Sequence, residues 1–192
     1  MEKRIKYELV GPELKKQITF ILKNIDKNIN LLYEAAVRDA KTGLYNFLFF
    51  KNMLEIEGAK ARRGGNLALG ILDLDHFKKI NDTYGHLTGD KILIRIAQVL
   101  QVNLRKSDII SRFGGEEFVV LMPNTSSARA YKVLDRLRIK IKENKELKKY
   151  SVTVSSGITQ YKNNDNLTRF KHRADKALYK AKENGRNRVE IG

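Results

Sequence analysis

A run of two glycines and two acids, Gly114-Gly115-Glu116-Glu117, divides two apolar stretches and constrains the fold more than any other feature. The stretch before it, residues 108–113, and the stretch after it, residues 118–122, both fit β-strands. A two-residue hairpin turn needs positive φ at its central residues, which glycine adopts without steric cost. The sequence therefore predicts a β-hairpin with a Gly-Gly turn and two carboxylates at its tip.

A second acidic cluster, Asp73-Leu74-Asp75, ends an apolar run that begins at residue 67 and is predicted to be a buried strand. Acids at one hairpin tip are explained by solvation, whereas acids at two strand ends can converge on one divalent cation. Hard oxygen ligands without His or Cys among them select Mg²⁺ or Mn²⁺ over zinc. We therefore expect Asp73 and Glu116 to share such an ion, with a carbonyl of the hairpin or of Leu74 as a further ligand.

The rest of the pattern alternates helices and strands. Helices are predicted near residues 47–63, 77–80, 89–104, 126–142 and 167–182, and further strands near 151–158 and 189–191. The resulting order, β-α-α-β-β-α-β-α-β, predicts an α+β fold with a ferredoxin-like βαββαβ core and added helices. In such a core the first strand lies beside the central hairpin, which brings Asp73 towards Glu116.

The N-terminal segment has a periodicity of its own. Its apolar residues follow each other at intervals of 4, 3, 4, 3 and 4, as in a heptad seam: Ile18, Leu22, Ile25, Ile29, Leu32 and Ala36. A helix with such a seam either packs on its own domain or forms a parallel coiled coil. We predict that residues 1–38 form a dimerising coiled-coil helix and that residues 39–192 form the catalytic domain.

The formal net charge of +16 fits a partner that carries phosphates, either a nucleotide or a nucleic acid. The basic residues are interleaved with acids, so a solvated surface explains many of them. The chain has no cysteine, which excludes disulfides and thiolate metal sites. No apolar run is long enough to span a bilayer, and the first residues lack the apolar stretch of a signal peptide, so we expect a cytoplasmic protein and no membrane segment within this sequence.

Residues that follow the Asp73-Leu74-Asp75 cluster can bind a nucleotide. Asp75 fits the N-cap of a short helix, whose N–H groups around Phe77 and Lys78 form a phosphate site with the Lys78 ammonium beside it. Three polar residues follow along the next turn: Asn81, His86 and Asp90. A carboxylate accepts from guanine N1–H and N2–H₂, and adenine cannot match that pattern. The alternative is that the Asn and the Asp are ordinary turn and cap residues.

Taken together, these motifs resemble the GGDEF family of diguanylate cyclases. The Gly114-Gly115-Glu116-Glu117-Phe118 run matches the family signature in its Glu form, and residues 73–82 match the pattern D-x-D-x-F-K-x-x-N-D. The match continues through the rest of the domain in Tyr84-Gly85-His86, Gly89-Asp90 and residues 175–187. The resemblance covers residues 39–192.

The resemblance implies a cyclase-type palm that condenses two GTP molecules into 3′,5′-linked cyclic di-GMP with release of pyrophosphate. By family analogy the metal ligands are Asp73, the Leu74 carbonyl and Glu116, and Glu116 or Glu117 helps to deprotonate the attacking 3′-OH. The other expected contacts are Phe77 and Lys78 at the phosphates and the transition state, Lys182 and Arg186 at the triphosphate, and Asn81, His86 and Asp90 at the base and sugar. Each subunit would bring one GTP, so a productive site would form only within a homodimer.

An inhibitory product site is implied by Arg105-Lys106-Ser107-Asp108, which matches the family's R-x-x-D motif before the hairpin, and by Arg136 on the following helix. Arg can grip phosphate or guanine as a fork, and Asp pairs with the guanine edge. On its own, an R-x-x-D pattern would be explained by a surface ion pair. Within this family the pattern predicts that cyclic di-GMP inhibits the enzyme.

The family's opening motif, D-x-L-T-G-L-x-N-R, is altered in this chain, because Lys41 and Phe47 replace its Leu and Arg. The change affects the junction between the helix and the domain and leaves the metal site unaltered. The acid that reads guanine in the family is present as Asp90, which favours a product with two guanines.

Two other functions fit parts of the sequence. A catalytically silent module would bind GTP or cyclic di-GMP and signal through the coiled coil, although the complete acids and Lys78 favour an enzyme. A basic nucleic-acid binder would bind DNA or RNA with a steep salt dependence that Glu116→Gln does not change.

Overall fold

Residues 11–163 and 165–192 are described by the computed structural model of the chain. The chain divides into two compact units, of which the first ends at Val37 and the second runs from Arg38 to Gly192. The first unit contains helix α1 (Pro12–Val37), in which none of the residues is buried. The seam leucines and isoleucines therefore lie on an exposed helix, with Leu32 at 71% exposure. No helix within the described ranges is long and apolar enough to cross a membrane.

The second unit contains the remaining elements in an alternating order. They are α2 (Phe47–Ala61), β1 (Leu67–Leu74), α3 (Phe77–Tyr84), α4 (His86–Asn103), β2 (Ile109–Gly114), β3 (Glu117–Pro123), α5 (Ser127–Glu143), α6 (Lys145–Lys148), β4 (Val154–Gln160), α7 (Leu167–Glu183) and β5 (Val189–Ile191). Short turns and caps join them, for example Asn46, whose side chain accepts from the Phe49 N–H at the start of α2.

The five strands form one sheet in the order β2-β3-β1-β4-β5. Strand β1 is central, antiparallel to β3 and to β4, and β4 is parallel to β5. All eight residues of β1 are buried, as expected for a central strand covered on both faces. The predicted α+β fold, with the first strand beside the hairpin, is confirmed.

Helices cover both faces of this sheet. Alternate residues of β1 and β3 point to opposite faces, so each of these strands contributes to two core clusters. On one face, Leu72 and Phe118 belong to the same core cluster as Ile92 of α4. On the other face, Ile71 clusters with Phe170 of α7. The two core layers hold the sheet between the helices. Asp73 lies near the end of β1.

The hairpin turn differs from the prediction by one residue. Gly114 is the last residue of β2 and pairs with Glu117, so the two connecting residues are Gly115 and Glu116. Positive φ values occur at Gly114 (143°) and Gly115 (50°), and the register shifts between Arg112 and Gly114. The predicted Gly-Gly turn is therefore wrong by one position, because the irregular pairing absorbs the first glycine. As a result, Glu116 lies in the turn itself.

Three further details differ from the predicted elements. Helix α4 begins at His86 rather than near residue 89, because Gly85, with φ of 80°, makes the sharp change of direction after α3. Strand β4 begins at Val154, after Ser151 in a left-handed conformation (φ 54°). The short helix α6 was not predicted, since four residues give little periodicity.

Gly157 of β4 determines how closely α7 approaches the sheet. A Cβ at this position would lie 2.1 Å from the Ala174 carbonyl oxygen and 2.2 Å from the Leu178 nitrogen, both backbone atoms of α7. We predict that Gly157→Ala destabilises the protein by about 3 kcal/mol, because the helix must shift away from the strand. Urea denaturation measures this change.

Gly65→Ala is the matched control for this prediction, since a Cβ there meets atoms only at ordinary distances of 3.5 Å or more. Its free energy of unfolding should change by less than about 0.5 kcal/mol. Equal stabilities of the two variants would contradict the close packing of α7 on β4.

Candidate active site

Asp73 occupies the end of the central strand, where three strands meet. It pairs in register with Glu117 of β3 and with Ser155 of β4. Its side chain is buried at the sheet end, and the whole residue is only 6% exposed. A carboxylate in such a position needs a counter-charge, a hydrogen-bond donor or a cation.

Lys182, in the last turn of α7, supplies that counter-charge. Its Nζ lies 2.8 Å from Asp73 Oδ1. Burial raises the pKa of Asp73, the Lys182 ammonium opposes this rise, and the Asp75 charge adds to it. Lys182 was predicted at the triphosphate, and it lies directly against the predicted metal ligand.

Glu116, in the hairpin turn, belongs to the same electrostatic cluster. Burial raises the pKa of Glu116, the negative charge of Asp73 raises it further, and Lys182 opposes the rise. Glu117 is opposite Asp73 in register and contributes a smaller repulsion. The hairpin thus brings Glu116 close enough to Asp73 for the two carboxylates to repel each other.

This carboxylate pair fits a magnesium-nucleotide site. The described residues contain no group of three or more His, Asp or Glu side chains arranged for a metal. Mg²⁺ bound with a nucleotide needs only one or two carboxylates, because phosphates and water complete its shell. Leu74 follows Asp73 with its side chain buried, so the group it can offer is its backbone carbonyl. Asp73 and Glu116 are therefore the side chains suited to hold the ion.

Asp75 has a structural role that the sequence did not predict. Its carboxylate accepts from the hydroxyls of Thr153 (2.7 Å) and Ser155 (2.6 Å) and from the backbone N–H of Asn187 (3.0 Å). The N-cap of α3 is instead His76, with φ of 58° and no side-chain cap hydrogen bond. The prediction that Asp75 caps this helix is wrong, because three donors from other segments use its oxygens.

The contact between Asp75 and Asn187 fixes the segment that carries Arg186. Arg186 has φ of 60°, and its N–H donates to the Ala181 carbonyl at the end of α7. Its guanidinium is close enough to lower the pKa of Asp73, opposing the dominant effect of burial. The predicted phosphate residues Lys182 and Arg186 are therefore both brought to the carboxylate pair.

Helix α3 and the start of α4 form a neighbouring polar surface. Phe77 is buried, whereas Lys78 is exposed on the first turn of α3, and His86 is exposed at the first position of α4. Asn81 Oδ1 is buried and accepts no hydrogen bond from any residue the structure describes. A Cβ at Gly89 would lie 1.9 Å from that oxygen, so the glycine makes room for the amide.

Asp90 follows Gly89 directly in sequence, near the start of α4. The carboxylate of Asp90 forms an ion pair with the ammonium of Lys41, a contact that the sequence did not predict.

Arg112 connects the start of the domain to the hairpin turn. Its Nη1 donates to Asp39 Oδ1 (3.1 Å), and its Nη2 donates to the Gly115 carbonyl (2.7 Å). Burial alone would raise the pKa of Asp39, but hydrogen bonds from Thr42 and Arg112 lower it overall. This link was not predicted from the sequence, although Arg112, a charged residue in an otherwise apolar strand, indicated that its side chain has a specific partner.

The predicted inhibitory residues lie at the other end of β2 from the hairpin turn. The Arg105 N–H donates to Asp108 Oδ2 at 3.0 Å, and burial raises the pKa of Asp108. Arg136 Nη2 donates to the carbonyl of Asn103, two residues before Arg105, so all three lie in one region. A cleft of about 470 Å³ beside this turn is lined by Asp108 and by Tyr45, among others.

Comparison with known proteins identifies relatives of the whole second unit. The family described as "Diguanylate cyclase, GGDEF domain" matches residues 36–188. Diguanylate cyclase DgcP of Pseudomonas aeruginosa is 46% identical over 82% of this chain and 24% of its own length. Diguanylate cyclase A of Treponema denticola is 36% identical over 97% of this chain and 56% of its own length. The chain thus spans between about a quarter and somewhat over half of these curated relatives.

A solved structure resembles the chain closely. The coiled coil and GGDEF domain of DgcB from Caulobacter crescentus, in complex with c-di-GMP, superposes with a TM-score of 0.84 at 29% identity. The similarity covers 92% of this chain and 96% of that chain.

The raised pKa of Glu116 predicts how stability depends on pH when divalent cations are removed. The folded chain binds this proton more tightly than the unfolded chain, so the resulting stabilisation is lost as pH rises above the ordinary value of 4.5. We predict that Glu116→Gln makes this fall shallower, by a few tenths of a kcal/mol because solvent screens the group. Thermal unfolding in EDTA, from about pH 4 to about pH 8, measures the effect.

Glu117→Gln is the control, since it removes the same charge from the neighbouring residue. It should flatten the pH dependence less than Glu116→Gln does. Identical curves for the wild type and Glu116→Gln would contradict the electrostatic cluster described above.

Proposed function

Because the chain belongs to the GGDEF-domain family of diguanylate cyclases, we propose that it condenses two GTP molecules into 3′,5′-linked cyclic di-GMP and releases two pyrophosphates. The observation that carries the proposal is the repelling pair Asp73 and Glu116 with Lys182 beside it. Phosphoryl transfer depends on positioning and on charge neutralisation, and this cluster offers both acids and a cation.

Each residue of the cluster has a proposed task. A Mg²⁺ or Mn²⁺ ion held by Asp73, Glu116 and the Leu74 carbonyl would neutralise charge on the phosphates. Glu116 accepts the proton of the attacking 3′-OH in this proposal, since it lies in the hairpin turn beside Asp73. Glu117, the other candidate base, is directly opposite Asp73 in register.

Cationic residues hold the triphosphate in this proposal. Lys182, already 2.8 Å from Asp73, is close enough to exchange that contact for a phosphate oxygen. Arg186 adds a second cation at the end of α7. Lys78, exposed on the first turn of α3, stabilises the charge that develops on the transferred phosphoryl group.

The polar surface at the start of α4 receives the base. Asp90 accepts from guanine N1–H and N2–H₂, and Asn81 offers an amide to another edge of the purine. The buried Oδ1 of Asn81 has no donor among the described residues, and a ligand donor would relieve that cost. His86 and Phe77 complete the contacts to the nucleotide.

Two subunits are required in this proposal, because each one carries one GTP and the product contains two. Helix α1 supports it, since its heptad residues, such as Ile25 and Leu32, are exposed. A coiled coil would bury that seam and hold two domains together. The similar DgcB structure also contains a coiled coil next to its GGDEF domain.

Turnover of GTP tests the proposed reaction. With Mg²⁺ and GTP, the purified chain should form cyclic di-GMP and two pyrophosphates per product molecule, measured by chromatography and a pyrophosphate assay. Glu116→Gln should lower the rate by at least about 100-fold while the fold is retained, because proton transfer and metal binding are both impaired. Absence of turnover at high protein concentration would contradict the enzyme and favour a silent binding module.

Mixing subunits tests the need for a dimer in the same assay. Inactive Glu116→Gln chains are unfolded and refolded together with wild-type chains in varied proportions. Formation of cyclic product should fall with the square of the wild-type fraction. A linear fall would show that one subunit is sufficient and would contradict the shared site.

Product inhibition is the regulatory part of the proposal. Arg105 and Asp108 form one turn, and Arg136 is tied to the helix end just before it. We predict that Arg105→Ala raises the concentration of cyclic di-GMP needed for half-inhibition about tenfold or more, because a charge-assisted hydrogen bond contributes about 1.5–3 kcal/mol. Arg62→Ala, at the exposed end of α2, is the control. An inhibition curve unchanged by Arg105→Ala would contradict this site.

A further inference from the structure

Lys41 stands where the family's opening motif usually has Leu, and its side chain reaches the proposed base-binding surface. Its ammonium forms an ion pair with Oδ1 of Asp90. The side chains of Lys41 and Asp90 are 40% and 37% exposed, so a ligand can reach both of them. The contact joins residues from separate parts of the chain at the place where the base is proposed to bind.

The loop that carries Lys41 is rigidly built. Asp39 Oδ1 accepts from the backbone N–H (2.8 Å) and the hydroxyl (2.6 Å) of Thr42, and the Gly43 N–H donates to the Asp39 carbonyl (2.9 Å). Leu44 is buried behind the loop. These contacts hold the backbone around Lys41, from which its side chain reaches Asp90.

Asn81, which is proposed to bind the base together with Asp90, lies against helix α4 at Gly89. Asn81 Oδ1 is buried against Gly89 and receives no hydrogen bond from the described part of the chain. We call the group formed by Asn81, Asp90 and Lys41 the base-reading surface. It contains two acceptor side chains and one ammonium.

Guanine presents a complementary row of groups along its Watson–Crick edge: the N2–H₂ and N1–H donors and then the O6 acceptor. We propose that Lys41 is a specificity-determining residue, which donates to guanine O6 while Asp90 accepts from N1–H and N2–H₂. This inference rests on the proposed function, because it assumes that Asp90 receives the base of GTP.

The ion pair places the Lys41 ammonium beside the Asp90 carboxylate. O6 is next to N1–H on the guanine ring, so in the proposed contact the ammonium binds O6 from the side of the carboxylate oxygen that accepts from N1–H. Adenine carries an amino donor in place of O6 and an acceptor at N1, so it is repelled by both Lys41 and Asp90. Lys41 thereby adds a second point of discrimination between the two purines.

Stability alone does not account for the contact. An exposed ion pair contributes about 0–1 kcal/mol to folding, so Lys41→Met should leave thermal unfolding nearly unchanged. An effect on nucleotide selectivity is therefore separable from an effect on the fold.

Binding of non-reactive nucleotides to the full chain tests the inference. Calorimetry with Mg²⁺ compares three α,β-methylene triphosphates: the guanosine analogue, the inosine analogue, which keeps O6 but lacks the 2-amino group, and the 2,6-diaminopurine analogue, which has an amino group instead of O6. Lys41→Met should weaken binding of the first two by about five- to thirty-fold, since a good base contact gives discrimination of this order. It should not weaken binding of the third.

Two further variants sharpen this comparison. Lys91→Met removes the same charge from the exposed residue after Asp90 and should change all three affinities equally and slightly. Lys41→Arg keeps a donor and should restore most of the preference for O6.

The outcomes separate this inference from the proposed function. A wild-type chain that binds and turns over GTP, with selectivity unchanged in Lys41→Met, overturns the role of Lys41 alone. Tighter binding of the guanosine analogue by Lys41→Met also overturns it, since the ammonium would then be an obstacle. A wild-type chain that binds none of the analogues overturns both proposals.

Discussion

The burial of Asp73 at the end of the central strand is the constraint on which the rest of the site depends. A carboxylate enclosed by β3, β4 and α7 is stable only with compensation, and Lys182 supplies part of it at 2.8 Å. The hairpin then adds a second acid, Glu116, whose repulsion from Asp73 leaves the cluster favourable for a divalent cation. Helix α7, which carries Lys182, packs closely on the sheet at Gly157.

The same domain connects this cluster to the segment that follows helix α1. Asp39, two residues after the end of α1, accepts a hydrogen bond from Arg112. The same guanidinium donates to the carbonyl of Gly115 in the hairpin turn. The loop from Asp39 also carries Lys41 to Asp90. One short segment therefore contacts both the hairpin that carries Glu116 and the surface proposed to read the base.

The strand order and the meeting of Asp73 with Glu116 were predictable, because the apolar runs and the hairpin signal determine neighbouring strands. The role of Asp75 was not, since an N-cap is the usual explanation of an acid before a helix, and its actual donors come from β4 and from Asn187. The hairpin turn lies one residue later than predicted, because the pairing of β2 with β3 shifts register between Arg112 and Gly114. The sequence gives no signal of such a shift. The contacts of Arg112 and Lys41 join segments far apart in sequence, so local patterns could not identify their partners, although Arg112 is a charged residue in an otherwise apolar strand.

In the proposed site, Asp73 and Glu116 together hold the cation that accompanies GTP. Crystals grown with Mn²⁺ and the α,β-methylene analogue of GTP allow the ion to be located by its anomalous scattering. We expect one Mn²⁺ bonded to a carboxylate oxygen of each residue, at roughly 2.0–2.3 Å, and to the phosphates. Mn²⁺ bound to the phosphates without either carboxylate, or bound elsewhere on the domain, would contradict it.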